Sequence, residues 1–498
     1  MARLRTHLAA LGVGLIMALA GGPASALERL VLRFPFLEME MSINLGSGLS
    51  AEQLIQASPD LQDLQLASDG KLLQLLRQVF LTPLPLETKA MLEGSTGQPL
   101  LEQALTAATY LVDLEGVEPD VSGRMLTDAL IRAERKGQAN ILGFLRELPG
   151  EQASVDLSRI ADVANRLKSN QEAGVALVRS GEPASVNAGL RAPLRSSWSR
   201  QIVQVSVPHR PQPLRVLTLR PGSSANGRLV LISHGLWDDP ESFEGWGEVL
   251  VSNGYTVLMP DHPGSNFSQQ QAMLAGATPP PGPEELRLRP LDVSAVLDAV
   301  NEGRLFPDAR LNTDAVAVVG HSWGGTTSLQ LAGAVPTDRK LKAQCNDLKD
   351  PERNISWVLQ CSWLSGINQA AVADSRVKAV VAVSPPLRLL FDPMRLESLP
   401  VKVLLVSGTR DWVVPSGPEA ITPMLETKAA QLGHRLVLAQ GADHFSLRSF
   451  RNEESPARIG PVILGWVNEQ LEVNGVITFS TGGWGDEEGS LVDVSNRL

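Results

Sequence analysis

The sequence predicts an α/β fold: a mostly parallel sheet with helices on both faces, preceded by a mainly helical N-terminal domain. Two observations carry this reading. Short apolar runs without strict alternation recur through the second half of the chain: Leu229–Ser233, Thr256–Pro260, Ala315–Val319, Ala379–Val383, Val403–Ser407 and Leu436–Ala439. Strands buried on both faces have this composition. Helix-forming stretches separate them, notably Pro290–Asn301 and Thr326–Ala334, and strand alternating with helix implies parallel pairing.

The remaining elements follow in chain order. Arg3 and Arg5 precede an apolar run from Leu8 to Ala20, and Ala24-Ser25-Ala26 closes the stretch as a small-residue cleavage pattern. Residues 1–26 therefore read as a signal peptide, with the mature protein exported to a periplasmic or secreted location. Residues 27–174 open on a β-like stretch, Leu27–Phe36, and then turn helical. Leu72, Leu73, Leu76, Val79 and Phe80 recur at helical spacing, and Pro83 and Pro85 stop that run. Met91–Val112, Gly123–Arg135 and Ile141–Leu148 give further amphipathic pieces, punctuated by Gly94, Gly97 and Gly150. Residues 175–197 are small and polar, as a linker is. Trp198–Pro208 and Leu214–Arg220 then alternate like a hairpin and begin a second domain over residues 198–473. The final stretch, 474–498, is acidic and Gly-rich and is expected to be loosely ordered.

The chain has 498 residues and a formal net charge of −10. Removing residues 1–26 takes away two arginines and no acid, so the mature balance is more acidic still. Such a chain repels nucleic acid and anionic membrane surfaces. No apolar stretch after the leader is long enough to span a bilayer. The two cysteines, Cys345 and Cys361, are expected to form a disulfide in an oxidising compartment rather than remain as buried thiols. No His/Cys cluster has metal-ligand spacing, so neither metal nor cofactor is expected.

The chemistry centres on Gly320-His321-Ser322-Trp323-Gly324. A Gly-x-Ser-x-Gly pentapeptide alone is weak evidence, but here an apolar strand precedes it and a helix follows. A serine on that turn is lifted above the sheet, with the helix N-terminus aimed at a developing oxyanion. Gly325 adds another small residue where the helix meets the sheet. Serine needs a base and a group to orient the base. Asp411 follows the run Val403–Ser407, and His444 follows Leu436–Ala439, giving the chain order serine, acid, histidine. The other histidines fit less well: His7 lies in the leader, His209 precedes the sheet, His434 begins a strand, and His234, His262 and His321 precede Ser322. Asp443 is the rival acid, although its adjacency to His444 makes a side-by-side approach difficult. The oxyanion hole needs two backbone donors, assigned to the N–H groups of Trp323 and Leu236, the latter in Ser233-His234-Gly235-Leu236 after a buried strand. Trp237 and Trp412, next to these residues, are the candidate apolar wall of a pocket.

On these residues the sequence resembles the α/β-hydrolase superfamily. Within it, it is similar to dienelactone-hydrolase-like and platelet-activating-factor-acetylhydrolase-like enzymes. The matching stretches are SHGLWDDPESF, GYTVLMPDHPGSN, RPLDVSAVLDAV, GHSWGG, SGTRDWVVP and GADHFSL. The stretch ILGFLRELPGEQASVDLSRI is similar to a helical domain preceding such hydrolases in cyanobacteria. Two departures narrow the inference. Dienelactone hydrolases use a cysteine where this chain has Ser322. The acetylhydrolase acid follows an earlier strand, where this chain has Ser384-Pro385-Pro386. The insertion 336–377, between the expected elbow helix and the next strand, stands where a cap over the pocket would. The expected activity is that of an exported serine hydrolase acting on a hydrophobic, small-molecule or lipid carboxylic ester. The sequence leaves three alternatives: an acyltransferase with the same triad, a non-catalytic binding protein on a hydrolase scaffold, and a peptidase.

Overall fold

A computed structural model describes residues 27–35, 38–46, 50–67, 71–85, 87–180, 197–222, 224–393, 397–451, 457–474, 477–484 and 490–498. The expected signal peptide lies outside the described residues, as does most of the expected linker. The helix Leu157–Arg179 runs several residues into the span expected to be linker. The residues concerned, Val175-Ala176-Leu177-Val178-Arg179, are mostly apolar, and Val178 is buried, so the helix continues through them.

The chain divides into two compact units, one reaching Asn165 and including Gln270–Gly282, the other Arg166–Gln269 with Pro283–Leu498. In the first, helices accompany a four-stranded sheet of β1 (Arg29–Phe34), β2 (Met39–Asn44), β3 (Val112–Leu114) and β4 (Gln152–Asp156), in the order β2-β1-β4-β3. Only β1 was expected. β3, at three residues, is too short to show a period, and β4 carries Ser154 at its centre. The expected helical stretch Met91–Val112, punctuated by Gly94 and Gly97, holds two helices, Glu87–Ser95 and Pro99–Ala108. Gly97, at φ 72°, and Pro99 separate them. The helices Arg124–Arg135 and Ile141–Arg146 place Leu126, Ala129, Leu130, Leu142 and Leu145 in this unit's core.

The second unit is built on nine strands: β5 (Trp198–Val205), β6 (Leu214–Pro221), β7 (Arg228–Ser233), β8 (Thr256–Pro260), β9 (Asn312–His321), β10 (Val377–Val383), β11 (Lys402–Gly408), β12 (Arg435–Ala439) and β13 (Leu491–Asp493). Their order is β13-β12-β11-β10-β9-β7-β8-β6-β5. From β8 to β12 every neighbouring pair is parallel, and the edges close with antiparallel strands. The expected mostly parallel sheet is thus present, with buried Val, Leu and Ala along its central strands. β7 is followed by β8 on one side and, after β8, the chain returns to β9 on the other. The carboxyl ends of β7 and β9 therefore flank a topological switch point, where open α/β sheets bind ligands.

Two expectations are corrected here. The C-terminal stretch is not uniformly loose. Leu491–Asp493 pairs with the edge of β12, and Trp484 is buried. A short apolar run in a Gly-rich, acidic tail is enough to cover an exposed strand edge. The helix expected to start at Pro290 begins five residues earlier, at Glu285, with the proline inside it. Pro290 has no N–H to give to the carbonyl of Leu286. The side chain of Gln330 supplies the missing donor, its Nε2 lying 2.9 Å from Leu286 O. No helix among the described residues is long and apolar enough to cross a membrane.

Candidate active site

Ser322 joins β9 to the helix Trp323–Leu331 with φ 53° and ψ −123°. A non-glycine residue there is strained, and the packing around it enforces the turn. A Cβ on Gly320 would meet Gly324 O at 2.0 Å, and one on Gly324 would meet Ser233 O at 2.0 Å. Only glycine lets the turn close on itself and on the end of β7. Ser322 N donates to Val383 O at 2.8 Å, which ties the turn to β10. The side chain of Ser322 stands at the C-terminal edge of the sheet with the residue 7% exposed.

Asp411 and His444 meet in the same unit. Asp411 Oδ2 lies 2.9 Å from His444 Nδ1, while its Oδ1 accepts the N–H groups of Val413 and Val414 at 2.9 and 2.7 Å. The carboxylate is fully buried and held by these three bonds, while the side chain of Gln171 donates to the backbone carbonyl of Asp411 at 3.2 Å. Asp443 is occupied elsewhere. Its Oδ1 accepts Phe445 N and Ser446 N, closing a local turn. His444 is held from behind by His321, whose Nε2–H donates to His444 O at 2.9 Å, with the ring centroids 4.6 Å apart. Burial, reinforced by the neighbouring His444, pushes His321 well below the usual imidazole range, so it serves as a neutral donor. No hydrogen bond joins Ser322 Oγ to His444 among the described residues.

The loop after β7 lies against the elbow. A Cβ on Gly235 would come within 3.3 Å of both Ser322 Cβ and His321 Nδ1. The backbone N–H groups of Leu236 and Trp323 have no hydrogen-bond partner among the described residues. For Trp323 this follows from its place in the first turn of a helix. The next residue, Trp237, has φ 56° and is fixed by its N–H on Ser265 O at 2.7 Å and its indole Nε1 on Gln269 at 2.9 Å.

The tryptophans take different positions. Trp323 is fully buried, with its ring 4.8 Å from Trp363 and under the guanidinium of Arg289. Trp237 is half-buried. Trp412 stands 44% exposed beside Phe445, 6.1 Å between centroids, at a rim rather than inside a wall. The insertion carries the disulfide Cys345–Cys361 and the buried Trp357 and Trp363. It reaches the loop after β11, where Ser356 N donates to Val413 O at 3.1 Å.

Sequence reasoning missed a buried polar network beneath the loop that follows β7. Asp292 Oδ2 accepts from His262 Nδ1 at 2.8 Å, and His262 Nε2 lies 2.9 Å from Ser233 Oγ. This has the connectivity of a Ser–His–Asp relay, but all three residues are wholly buried, so no substrate reaches it. Asp292 also accepts from His209 and Arg210, and Arg210 pairs with Glu285. Arg289 reaches Ser265 Oγ at 2.7 Å and the carbonyl of His234. The available signal was the polar composition of PDHPGS and RLRPLD beside apolar runs.

A protein-family model described as alpha/beta hydrolase fold matches residues 228–342, which include β7, the elbow and its helix. No curated protein matches the chain. The match and the strand order together support an α/β-hydrolase fold for the second unit.

Proposed function

We propose that this α/β-hydrolase-fold protein is a serine hydrolase that cleaves a hydrophobic carboxylic ester through an acyl-enzyme on Ser322. One observation carries the reading: a histidine held by a buried aspartate, His444 on Asp411, shares a sheet edge with a serine on a strained strand-to-helix turn.

In this mechanism Ser322 Oγ attacks the ester carbonyl carbon while His444 Nε2 takes its proton. Asp411 keeps Nδ1–H in place and stabilises the imidazolium that forms. The N–H groups of Trp323 and Leu236 receive the tetrahedral oxyanion. Collapse breaks the bond to the alcohol oxygen, which leaves with the proton from His444. Water then attacks the acyl-enzyme with His444 as base, releasing the acid and restoring Ser322. Trp237, Trp412 and Phe445 favour an apolar acyl or alkyl group at the mouth, and the 336–377 insertion acts as a cap. Export is part of the same reading, and the Cys345–Cys361 disulfide supports an oxidising compartment.

A fluorophosphonate probe and a chain-length series of p-nitrophenyl esters test the proposal. Wild type should be labelled and hydrolyse longer acyl chains with higher kcat/KM, while Ser322→Ala should do neither. Equal labelling of the two proteins would refute the nucleophile, and a flat chain-length profile would refute the apolar mouth.

A further inference from the structure

The loop that carries Leu236 is fixed one peptide plane at a time. Arg289 Nη2 donates to His234 O, which fixes the peptide before Gly235. Ser265 O takes the N–H of Trp237 at 2.7 Å, which fixes the peptide after Leu236. Between them lies the Gly235–Leu236 peptide, whose carbonyl receives His234 Nδ1 at 2.7 Å. A carbonyl only accepts, so Nδ1 carries the proton. The second ring nitrogen, Nε2, accepts the N–H of His262 at 3.0 Å and is therefore bare. The tautomer of His234 is set from outside by this backbone donor, which lies closer to Nε2 than the carboxylate facing the same nitrogen, Asp261 Oδ1 at 3.6 Å.

We infer that His234 is a positioning residue for the oxyanion hole, and that its neutral Nδ1–H tautomer locks the Gly235–Leu236 peptide so that Leu236 N–H faces the site of Ser322. The physical basis is planarity. The chain has no cis peptide bond among its described residues, and across a trans peptide the C=O and N–H point in opposite directions. Pinning Gly235 O to the ring on one side aims Leu236 N–H to the other. Gly235 needs such a lock more than other residues would, because glycine permits both orientations of the adjoining peptide. His262 contributes through its backbone, and its ring is anchored by Asp292 and Ser233, so the buried relay holds the donor that sets the tautomer. His234 is 1% exposed and touches no solvent from which a competing donor would come.

This inference rests on the oxyanion-hole reading above, and its test separates the two. Asparagine at 234 offers an amide Nδ2–H at the place of Nδ1, whereas glutamine places its amide at the position of Nε2 and leaves Gly235 O without a donor. The expected result is that His234→Asn keeps kcat within about fivefold of wild type. His234→Gln should lose about 10²-fold in kcat, the scale of one lost oxyanion donor, with KM within about threefold. Binding of an alkyl trifluoromethyl ketone, whose hemiketal oxyanion uses the same donors, should weaken in His234→Gln in parallel with kcat.

A merely structural role would lower the melting temperature and activity of both variants together. Equal losses in the two, a wild-type kcat in His234→Gln, or a loss confined to KM would overturn the inference. A 15N-histidine spectrum of the wild-type protein gives a readout that needs no variant to fold: Nδ1 protonated and Nε2 bare at His234 is expected, and the reverse tautomer overturns it. If wild type neither hydrolyses esters nor labels at Ser322, the site reading itself fails. If wild type is active and only the His234 outcomes miss, the site reading stands and the lock does not.

Discussion

Asp411 Oδ2 accepts the Nδ1–H of His444 at 2.9 Å, although the two residues stand 33 positions apart. The approach depends on Gly408 at the end of β11, where a Cβ would lie 2.4 Å from Ala442 O. The two loops are laced by Arg410 N on Ala442 O at 2.9 Å and Gly441 N on Thr409 Oγ1 at 2.9 Å. The geometry is thus set by the strand ends and not by the side chains searching for each other.

The consequence for Asp411→Asn is a tautomer error. Asn Nδ2 facing His444 would donate to Nδ1 and shift the imidazole proton to Nε2, where a base is needed. We expect kcat on a p-nitrophenyl ester to fall by about 10⁴-fold, with the melting temperature little changed. A variant retaining a tenth of wild-type kcat would remove Asp411 from the mechanism.

The disulfide should matter for stability more than for chemistry. Cys345 and Cys361 are separated by 16 positions within the insertion, and closing such a loop stabilises by about 3 kcal/mol. The paired Cys345→Ser, Cys361→Ser variant should unfold at lower urea concentration than wild type and match wild type in reductant. An unchanged urea midpoint would show that the crosslink constrains nothing that unfolds.

A second anchor of the insertion is Glu419. Its Oε1 accepts from Asn354, Ser356, Trp357 and Gln360 at 2.9 to 3.2 Å, and its Oε2 accepts the backbone N–H groups of Leu387 and Arg388, both at 2.8 Å. Glu419→Gln turns one acceptor into a donor among donors, whichever way the amide faces. The cost of leaving such groups unpaired is about 3 kcal/mol. Urea unfolding measures it, and a loss below about 1 kcal/mol would mean the site relaxes around the amide.

These anchors mark where the sequence was legible. The buried strands, the elbow turn and the order of Ser322, Asp411 and His444 depend on local composition, so they could be read from short windows. Glu419 could not: in Ser-Gly-Pro-Glu it looks like a surface acid in a loop, and its six donors come from two distant segments, 354–360 and 387–388. Asp292 sits in a helix as an ordinary polar residue until His209, Arg210 and His262 converge on it. β3 and β4 escaped for the opposite reason, since their short spans gain order only from pairing. Local pattern reports which residues are buried by their own element, while charge burial is decided by partners far along the chain.

Acid should weaken the fold through its buried histidines. His434 accepts the N–H of Val403 on Nδ1 at 3.0 Å, and burial, helped by the charge of Lys402, pulls it down to about 4. The unfolded chain titrates near the ordinary value of 6.5. Between these values the unfolded state binds a proton that the native state refuses, so stability is fully present above about pH 6.5 and declines as pH falls toward 4. His262 and His321, both held well below the ordinary range by burial, add to the decline in the same direction. His434→Asn retains an acceptor for Val403 N–H without a titrating ring. Its unfolding free energy should therefore fall less steeply than wild type between pH 6.5 and 4.5. Urea titrations across that interval compare the two slopes, and parallel lines would show that His434 takes up its proton without opposing the fold.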